Sequence, residues 1–371
     1  MSAAQPRVLI LPASYFARDR TVGGGERYAL EYARALAELT PTTLALFDPT
    51  PASETLGRLT IQTFPIRHFH QRRLFPLTRA GLRATAPFDL LHAMVFPTPA
   101  TDLLICAATM RRQKIVLTDV GGGGTCWSTY LRKLHPALDL NRRAHGLALL
   151  SRHAARFFDD WPQPRTLLYG GVNLTDFTPA TEPPRGYALF VGRLLPHKGV
   201  LELIHALGPD TPLHVVGRPY DDTYAKQLQR AASGKDVLFI FNADDAELRR
   251  QYAGANVVLQ PSLPSFNPDD DKSELLGLVT LEAMASAKPV IVTQTASLPE
   301  LVLDSETGFI VPPHHAETLR ARVELFLQQP ALTHSMGAAA RRHIEQNFTW
   351  EKVARRGLEF YRSLDPHPAA P

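Results

Sequence analysis

The sequence predicts an α/β protein built as two doubly wound, parallel-sheet domains. Three observations carry that expectation. Short apolar runs of strand length alternate with helical patterns, the arrangement of parallel strands covered on both faces. The alternation starts at Arg7, breaks in a Thr- and Pro-rich stretch, and restarts at Tyr187. The 371 residues suffice for two domains, at ~100–200 residues each.

Arg7 to Pro12 reads as a buried strand. A Gly23-Gly24-Gly25 turn follows, and then a helical pattern with apolar Tyr28, Leu30, Tyr32, Leu36 and Leu39. Strand-like runs recur at Thr43–Phe47, Leu90–His92 and Ile115–Thr118. The second series comprises Tyr187–Val191, Leu213–Val216, Val237–Phe241, Val257–Gln260 and Pro289–Val292, with helix-like segments between them. Between the two series, Asn173 to Arg185 holds Thr175, Thr178, Pro179, Thr181, Pro183 and Pro184. That composition suits an exposed linker and puts a hinge near Pro179–Arg185. The last helix, about Trp350 to Leu364, is amphipathic through Val353, Leu358 and Tyr361, ahead of the Pro-rich tail His367–Pro371. The expected division is an N-terminal Rossmann-like domain of residues 1–180 and a second of residues 186–349. A C-terminal helix and tail, 350–371, should pack back on the first domain.

Hydrophobic residues make up 44% and charged residues 20%, which excludes a disordered chain and a coiled coil. Forty Lys and Arg against 36 Asp and Glu leave a net charge of +4, too mild to argue for nucleic acid. Cys106 and Cys126 supply neither a disulfide framework nor a zinc-site spacing, so a reducing cytoplasm is expected. Nowhere do ~18 uninterrupted apolar residues occur, and Val8–Leu11 is too short for a signal-peptide core. A peripheral contact at the inner face of the membrane, through the N-terminal domain, stays open. Only eight residues are lysine, so the position of each carries information.

One lysine lies in Gly192-Arg193-Leu194-Leu195-Pro196-His197-Lys198-Gly199, where a strand ends and a helix begins. Ligands of open α/β sheets collect at the carboxyl ends of strands, and a helix N-terminus offers unpaired N–H groups to an anion. Arg193 and Lys198 would neutralise a diphosphate there; the alternative is an ordinary solvated turn. Further on, Glu274 and Glu282 are separated by seven residues. On one continuous helix they would stand ~80° and ~12 Å apart, too far for a shared-proton dyad or a retaining-glycosidase pair. Gly277 instead suggests that Glu274 lies in a loop and that a helix starts after it, burying Leu278, Leu281 and Met284 and ending at Lys288-Pro289. Glu282 is then either an inward-facing helix residue or a solvated helix charge. Two carboxylate acceptors beside a diphosphate clamp describe a nucleotide-sugar site.

In this order, these residues resemble the retaining GT-B glycosyltransferases of family GT4. The resemblance covers most of the chain: Gly23-Gly24-Gly25-Glu26, Phe88-Asp89-Leu90-Leu91-His92, Ser151, Gly170-Gly171-Val172-Asn173 with Phe177 and Pro179, Gly192-Arg193-Leu194 with Lys198-Gly199, Glu274 and Glu282 ahead of Ala283-Met284-Ala285, Pro299-Glu300-Leu301-Val302, and Thr307-Gly308-Phe309. It implies a GT-B fold, two Rossmann-like domains facing an interdomain cleft. It further implies that Arg193 and Lys198 hold the donor diphosphate and stabilise its departure without a metal or other cofactor. Glu274 would contact sugar hydroxyls and Glu282 the nucleotide ribose. The backbone N–H groups of Leu276 and Gly277 would help bind phosphate or sugar. Gly23 and Gly24 would border the donor, Gly24 letting backbone approach because it lacks a Cβ. The acceptor would bind mainly in the first domain.

Three positions depart from the family. Val120 stands where many relatives carry a His, Leu275-Leu276 replaces the usual Pro-Phe, and Ala296-Ser297 replaces a Gly pair. Other conspicuous groups carry less weight. Gly121–Gly124 is either an anion-binding nest or a mobile acceptor loop. Asp269-Asp270-Asp271 and His314-His315 read as solvated turns, since adjacent side chains diverge. Arg67 to Phe75 mixes cations with aromatics and would either touch anionic lipid or an acceptor phosphate, or form a solvated loop. The expected function is retaining transfer of a sugar from a nucleoside diphosphate, UDP or GDP, to an acceptor. A nucleotide-sugar epimerase of the same fold and a non-catalytic nucleotide-sugar binding protein are the alternatives.

Overall fold

A computed structural model of the chain describes residues 5–12, 24–48, 50–64, 67–69, 72–74, 78–94, 98–120, 139–264 and 274–364. They fall into two compact units: Met1–Gly171 together with Trp350–Pro371, and Val172–Thr349.

The first unit holds β1 (Val8–Leu11), β2 (Thr42–Phe47), β3 (Ser53–Leu56), β4 (Leu59–Phe64), β5 (Arg67–Phe69), β6 (Arg72–Leu74), β7 (Leu90–Ala93), β8 (Lys114–Leu117), β9 (Gly146–Leu149) and β10 (Arg165–Leu167). Eight of these form one sheet, in the order β10-β9-β8-β7-β1-β2-β4-β3. Its pairings are parallel except for β3, which runs antiparallel to β4 at the edge. β5 and β6 form a separate antiparallel hairpin, Arg67 opposite Leu74. β1, β2, β7 and β8 lie where the apolar runs put them. β3 gave no such signal because all four of its residues face solvent and three are polar. β9 opens on a glycine for a packing reason: a Cβ on Gly146 would lie 2.6 Å from the Phe360 ring.

The C-terminal helix Trp350–Ser363 belongs to this unit and packs on the helix Gly24–Ala37. Trp350 meets Tyr28 edge-on at 5.4 Å, and Lys114 Nζ donates to Leu364 O at 2.5 Å. A buried polar chain runs from the two helices into the sheet. Tyr32 and Tyr361 hydroxyls are 2.7 Å apart, Tyr361 Oη lies 2.6 Å from His92 Nδ1, and His92 Nε2 lies 2.7 Å from Thr118 Oγ1. A neutral imidazole satisfies both contacts, donating through one nitrogen and accepting through the other. Burial pushes the His92 pKa down from 6.5 to about 3 and so holds the ring neutral.

The second unit is a six-stranded, all-parallel sheet of β11 (Tyr187–Val191), β12 (Leu213–Val216), β13 (Val237–Ile240), β14 (Ala255–Gln260), β15 (Val290–Thr293) and β16 (Gly308–Val311), in the order β13-β12-β11-β14-β15-β16. Phe190, Ile204, Leu228, Leu259, Val323 and Phe326 are among the residues that fill its core. Strand order reverses between β11 and β14, and such switch points open a crevice at the carboxyl ends of the strands.

The units part at Gly171/Val172, ahead of the expected boundary at residue 180. The reason is hydrogen bonding that composition does not reveal. Val172 N donates to Phe348 O at 2.9 Å, Arg341 Nη1 donates to Phe177 O at 2.7 Å, and the Phe177 ring packs edge-on against Tyr252 at 5.7 Å. Residues 172–177 are therefore fastened to the second unit.

Candidate functional site

The switch point of the second unit brings together two of the polar residues that the sequence singled out, Lys198 and Glu274. β11 ends at Val191 and β14 at Gln260, and Gln260 Nε2 ties the two ends together by donating to Val191 O at 2.9 Å. Beyond β11 the chain makes a short turn, Pro196–Lys198, and then the helix Val200–Ala206. Gly199 joins them with φ +69°, and a Cβ there would lie 2.0 Å from Pro261 O. The approach of the two backbones is close enough that only glycine fits. Leu263 N donating to His197 O at 2.7 Å fastens the same contact.

This packing carries Lys198 inward. Its ammonium pairs with the Glu274 carboxylate, with the two side chains only 11% and 12% exposed. Ser262, fully buried just past β14, donates from Oγ to Glu274 Oε2 at 3.2 Å. Two donors from two strand ends thus converge on one carboxylate oxygen. The Glu274 backbone is held separately, because Ser297 donates to its carbonyl from both Oγ (2.7 Å) and N (3.1 Å). Ser297 therefore supplies a bond that a glycine side chain could not. Its neighbour Ala296 takes φ +48°, a left-handed conformation in which the glycine it replaces would be unstrained.

Gly277, at φ +58°, precedes the helix Leu278–Ala285, so Glu274 lies in the loop and Glu282 on the helix, as the position of Gly277 suggested. Leu281 and Met284 are fully buried, whereas Leu278 is only partly so. Glu282 faces inward and is buried, not solvated: it accepts a hydrogen bond from Tyr252 Oη at 2.9 Å. The opening N–H groups of this helix, with those of Leu276 and Gly277 before it, border the Glu274 loop.

Arg193 differs from Lys198 in being exposed. Its guanidinium carbon sits 5.8 Å from the centroid of the Tyr220 ring. In the first unit, Gly24 opens the helix Gly24–Ala37, and Val120 is partly exposed just after the buried Thr118-Asp119. Gly23, Gly121–Gly124 and Asp269–Asp271 lie outside the described residues. His314 and His315 are exposed, and His315 caps the helix Ala316–Gln328 through Thr318. Ser262, Ser297, Tyr252 and Tyr220 are contributors that the sequence reading missed. Ser262 carried a usable signal, since it lies two residues past a strand of a parallel sheet. Among the described residues no cluster of three His, Cys, Asp or Glu could hold a metal, and no helix is long and apolar enough to cross a membrane.

Residues 176–343 match the family described as Glycosyl transferases group 1. The chain is 33% identical over 217 residues to the D-inositol 3-phosphate glycosyltransferase of Arthrobacter sp. (strain FB24), a match covering 52% of this chain and 48% of that protein. It spans about half the length of the curated relatives it matches. Two solved structures share its fold. Sucrose-phosphate synthase from Thermosynechococcus elongatus superposes with a TM-score of 0.73 at 21% identity, covering 96% of this chain and 98% of that one. Anabaena Alr3699/HepE in complex with UDP-glucose gives 0.72 at 18% identity, covering 97% and 100%. The fold is thus that of the GT-B glycosyltransferases, two parallel-sheet Rossmann-like domains.

Proposed function

We propose, from the match of residues 176–343 to the glycosyl transferases group 1 family, that the protein is a metal-independent, retaining glycosyltransferase. Its donor is a UDP- or GDP-sugar and its acceptor a glycan, a lipid-linked sugar or a small molecule. The observation that carries this reading is the nearly buried Lys198–Glu274 pair at the switch point, braced by Ser262. The UDP-glucose bound by Alr3699/HepE supports the donor class.

The chemistry follows from what each group can exchange. An arriving diphosphate competes with Glu274 for the Lys198 ammonium, and Arg193 approaches the same anion from the exposed side. Sugar hydroxyls then replace the ammonium as donors to Glu274. As the glycosidic bond breaks, negative charge grows on the leaving diphosphate, and two fixed cations stabilise it where other enzymes use a metal. The departing phosphate takes the proton of the incoming hydroxyl, which attacks from the same face and so retains the anomeric configuration. Glu282, on the neighbouring helix, accepts from the ribose hydroxyls.

Mass spectrometry after incubation with a panel of UDP-, GDP- and TDP-sugars and candidate acceptors tests this proposal. The expected result is one hexose added to an acceptor, with release of the nucleoside diphosphate. A donor recovered only as its epimer would favour epimerisation, and binding without turnover would favour a sensor.

A further inference from the structure

We propose that Tyr220 is a positioning residue for Arg193, holding the guanidinium so that its N–H edges face a bound diphosphate. The inference rests on reading the second unit as a nucleotide-sugar site. Tyr220 is 69% exposed, yet its ring is not idle: the Arg193 guanidinium carbon lies 5.8 Å from its centroid, within cation–π range. Among the described residues the Arg193 side chain forms no ion pair and no hydrogen bond. The backbones that carry the two side chains are locked together. Gly192 N donates to Val216 O at 3.0 Å and Leu194 N to Arg218 O at 3.1 Å, with a parallel bridge between Leu194 and Pro219. A Cβ on Gly217 would lie 1.8 Å from Gly192 O, so the two loops touch backbone to backbone.

The physical consequence concerns rotamers. An exposed arginine samples many conformations, and most of them point away from an anion that must be gripped in one place. A ring standing beside it narrows that set, leaving the planar fork of donors on the edge free for phosphate oxygens. An aromatic face suffices for this; the phenolic hydroxyl is not required. Tyr220 thus acts through Arg193, and its effect should follow the diphosphate rather than the base.

Calorimetric titration of the full chain with UDP, GDP, inorganic pyrophosphate and the matching nucleosides separates these roles. Tyr220→Leu should weaken pyrophosphate and nucleoside diphosphate binding about two- to fivefold, the size of an exposed cation–π contact. Tyr220→Phe and Tyr220→Trp should bind as the wild type does, and nucleoside binding should be unchanged throughout. In an Arg193→Ala background, Tyr220→Leu should have no further effect. The proposal is overturned if Tyr220→Leu binds pyrophosphate like the wild type, if its effect persists without Arg193, or if nucleoside binding falls equally, which would mean that the ring stacks on the base. A wild type that binds neither diphosphate nor pyrophosphate overturns the nucleotide-sugar reading itself and this role with it, whereas wild-type binding indifferent to Tyr220 overturns the role alone.

Discussion

Acidification should weaken the first unit through one residue, His92. The ring is fully buried, and its two nitrogens are committed to the Tyr361 and Thr118 hydroxyls, so protonation would force the hydroxyl that donates to it to turn round and would bury a charge. Its pKa is 6.5 in an ordinary setting and about 3 in the fold. Between those values the unfolded chain binds a proton that the folded chain refuses. His92 therefore costs nothing above pH 6.5, and stability is lost as pH falls from there toward 3. At pH 5 the loss from this group is RT ln(1 + 10^1.5), about 2 kcal/mol. The tryptophans among the described residues, Trp161 and Trp350, both belong to the first unit, so intrinsic fluorescence during urea unfolding reports that unit. The comparison is between pH 7.5 and pH 5, in the wild type and in His92→Gln, whose amide keeps a donor and an acceptor but does not titrate. The substitution lowers stability at both pH values; the readout is the pH increment, which should shrink by about 2 kcal/mol. An equal increment in both proteins would refute the buried neutral imidazole.

Four further outcomes follow from the second unit. Arg193→Ala should fold normally, because Arg193 is exposed, and should lose about 10²–10³-fold in turnover, measured by release of the nucleoside diphosphate. Lys198→Ala should lose turnover and also stability, by about 3–5 kcal/mol in thermal or urea unfolding, because it leaves the Glu274 carboxylate nearly buried without its cation. Gly199→Ala, which sets a methyl 2.0 Å from Pro261 O in a left-handed backbone, should abolish donor binding by forcing the β11 and β14 loops apart, and calorimetry that finds wild-type affinity would contradict that. Activity should survive EDTA; abolition by chelator with rescue by one particular metal would contradict the proposed use of two cations.

Much of the second unit was legible in the sequence because most of its strands, though not the edge strand β13, are buried on both faces. Tyr187–Val191 reads as a continuous apolar run, Leu213–Val216 as one broken only by His214, and both have those bounds in the fold. Gly277 marked a helix start because its left-handed conformation favours glycine. Periodicity could not decide whether Glu282 faced inward, since that depends on Tyr252, thirty residues earlier, reaching it with a hydroxyl. The convergence of Ser262 and Ser297 on Glu274 was illegible for a related reason: it arises from which strands are neighbours, a property of topology and not of local pattern. The boundary at Gly171/Val172 was hidden because Val172 and Phe177 bond to residues more than 160 positions away, Phe348 and Arg341. β3 and β10 were missed because short edge strands need no apolar face.

The central claim is that a nucleotide-sugar lies across the Glu274 loop and the Leu278–Ala285 helix, with the sugar toward Glu274 and the nucleotide toward Glu282. Calorimetric titration of Glu274→Gln and Glu282→Gln with the nucleoside diphosphate product tests it most directly. An amide keeps one acceptor oxygen and turns the other into a donor, so each substitution disturbs hydrogen bonding at one carboxylate with little change in shape. Glu282→Gln should weaken binding of the bare nucleoside diphosphate, whereas Glu274→Gln should leave it close to wild type while reducing transfer and blurring the choice of sugar. If Glu274→Gln weakened nucleotide binding and Glu282→Gln left it intact, the orientation of the donor would be contradicted.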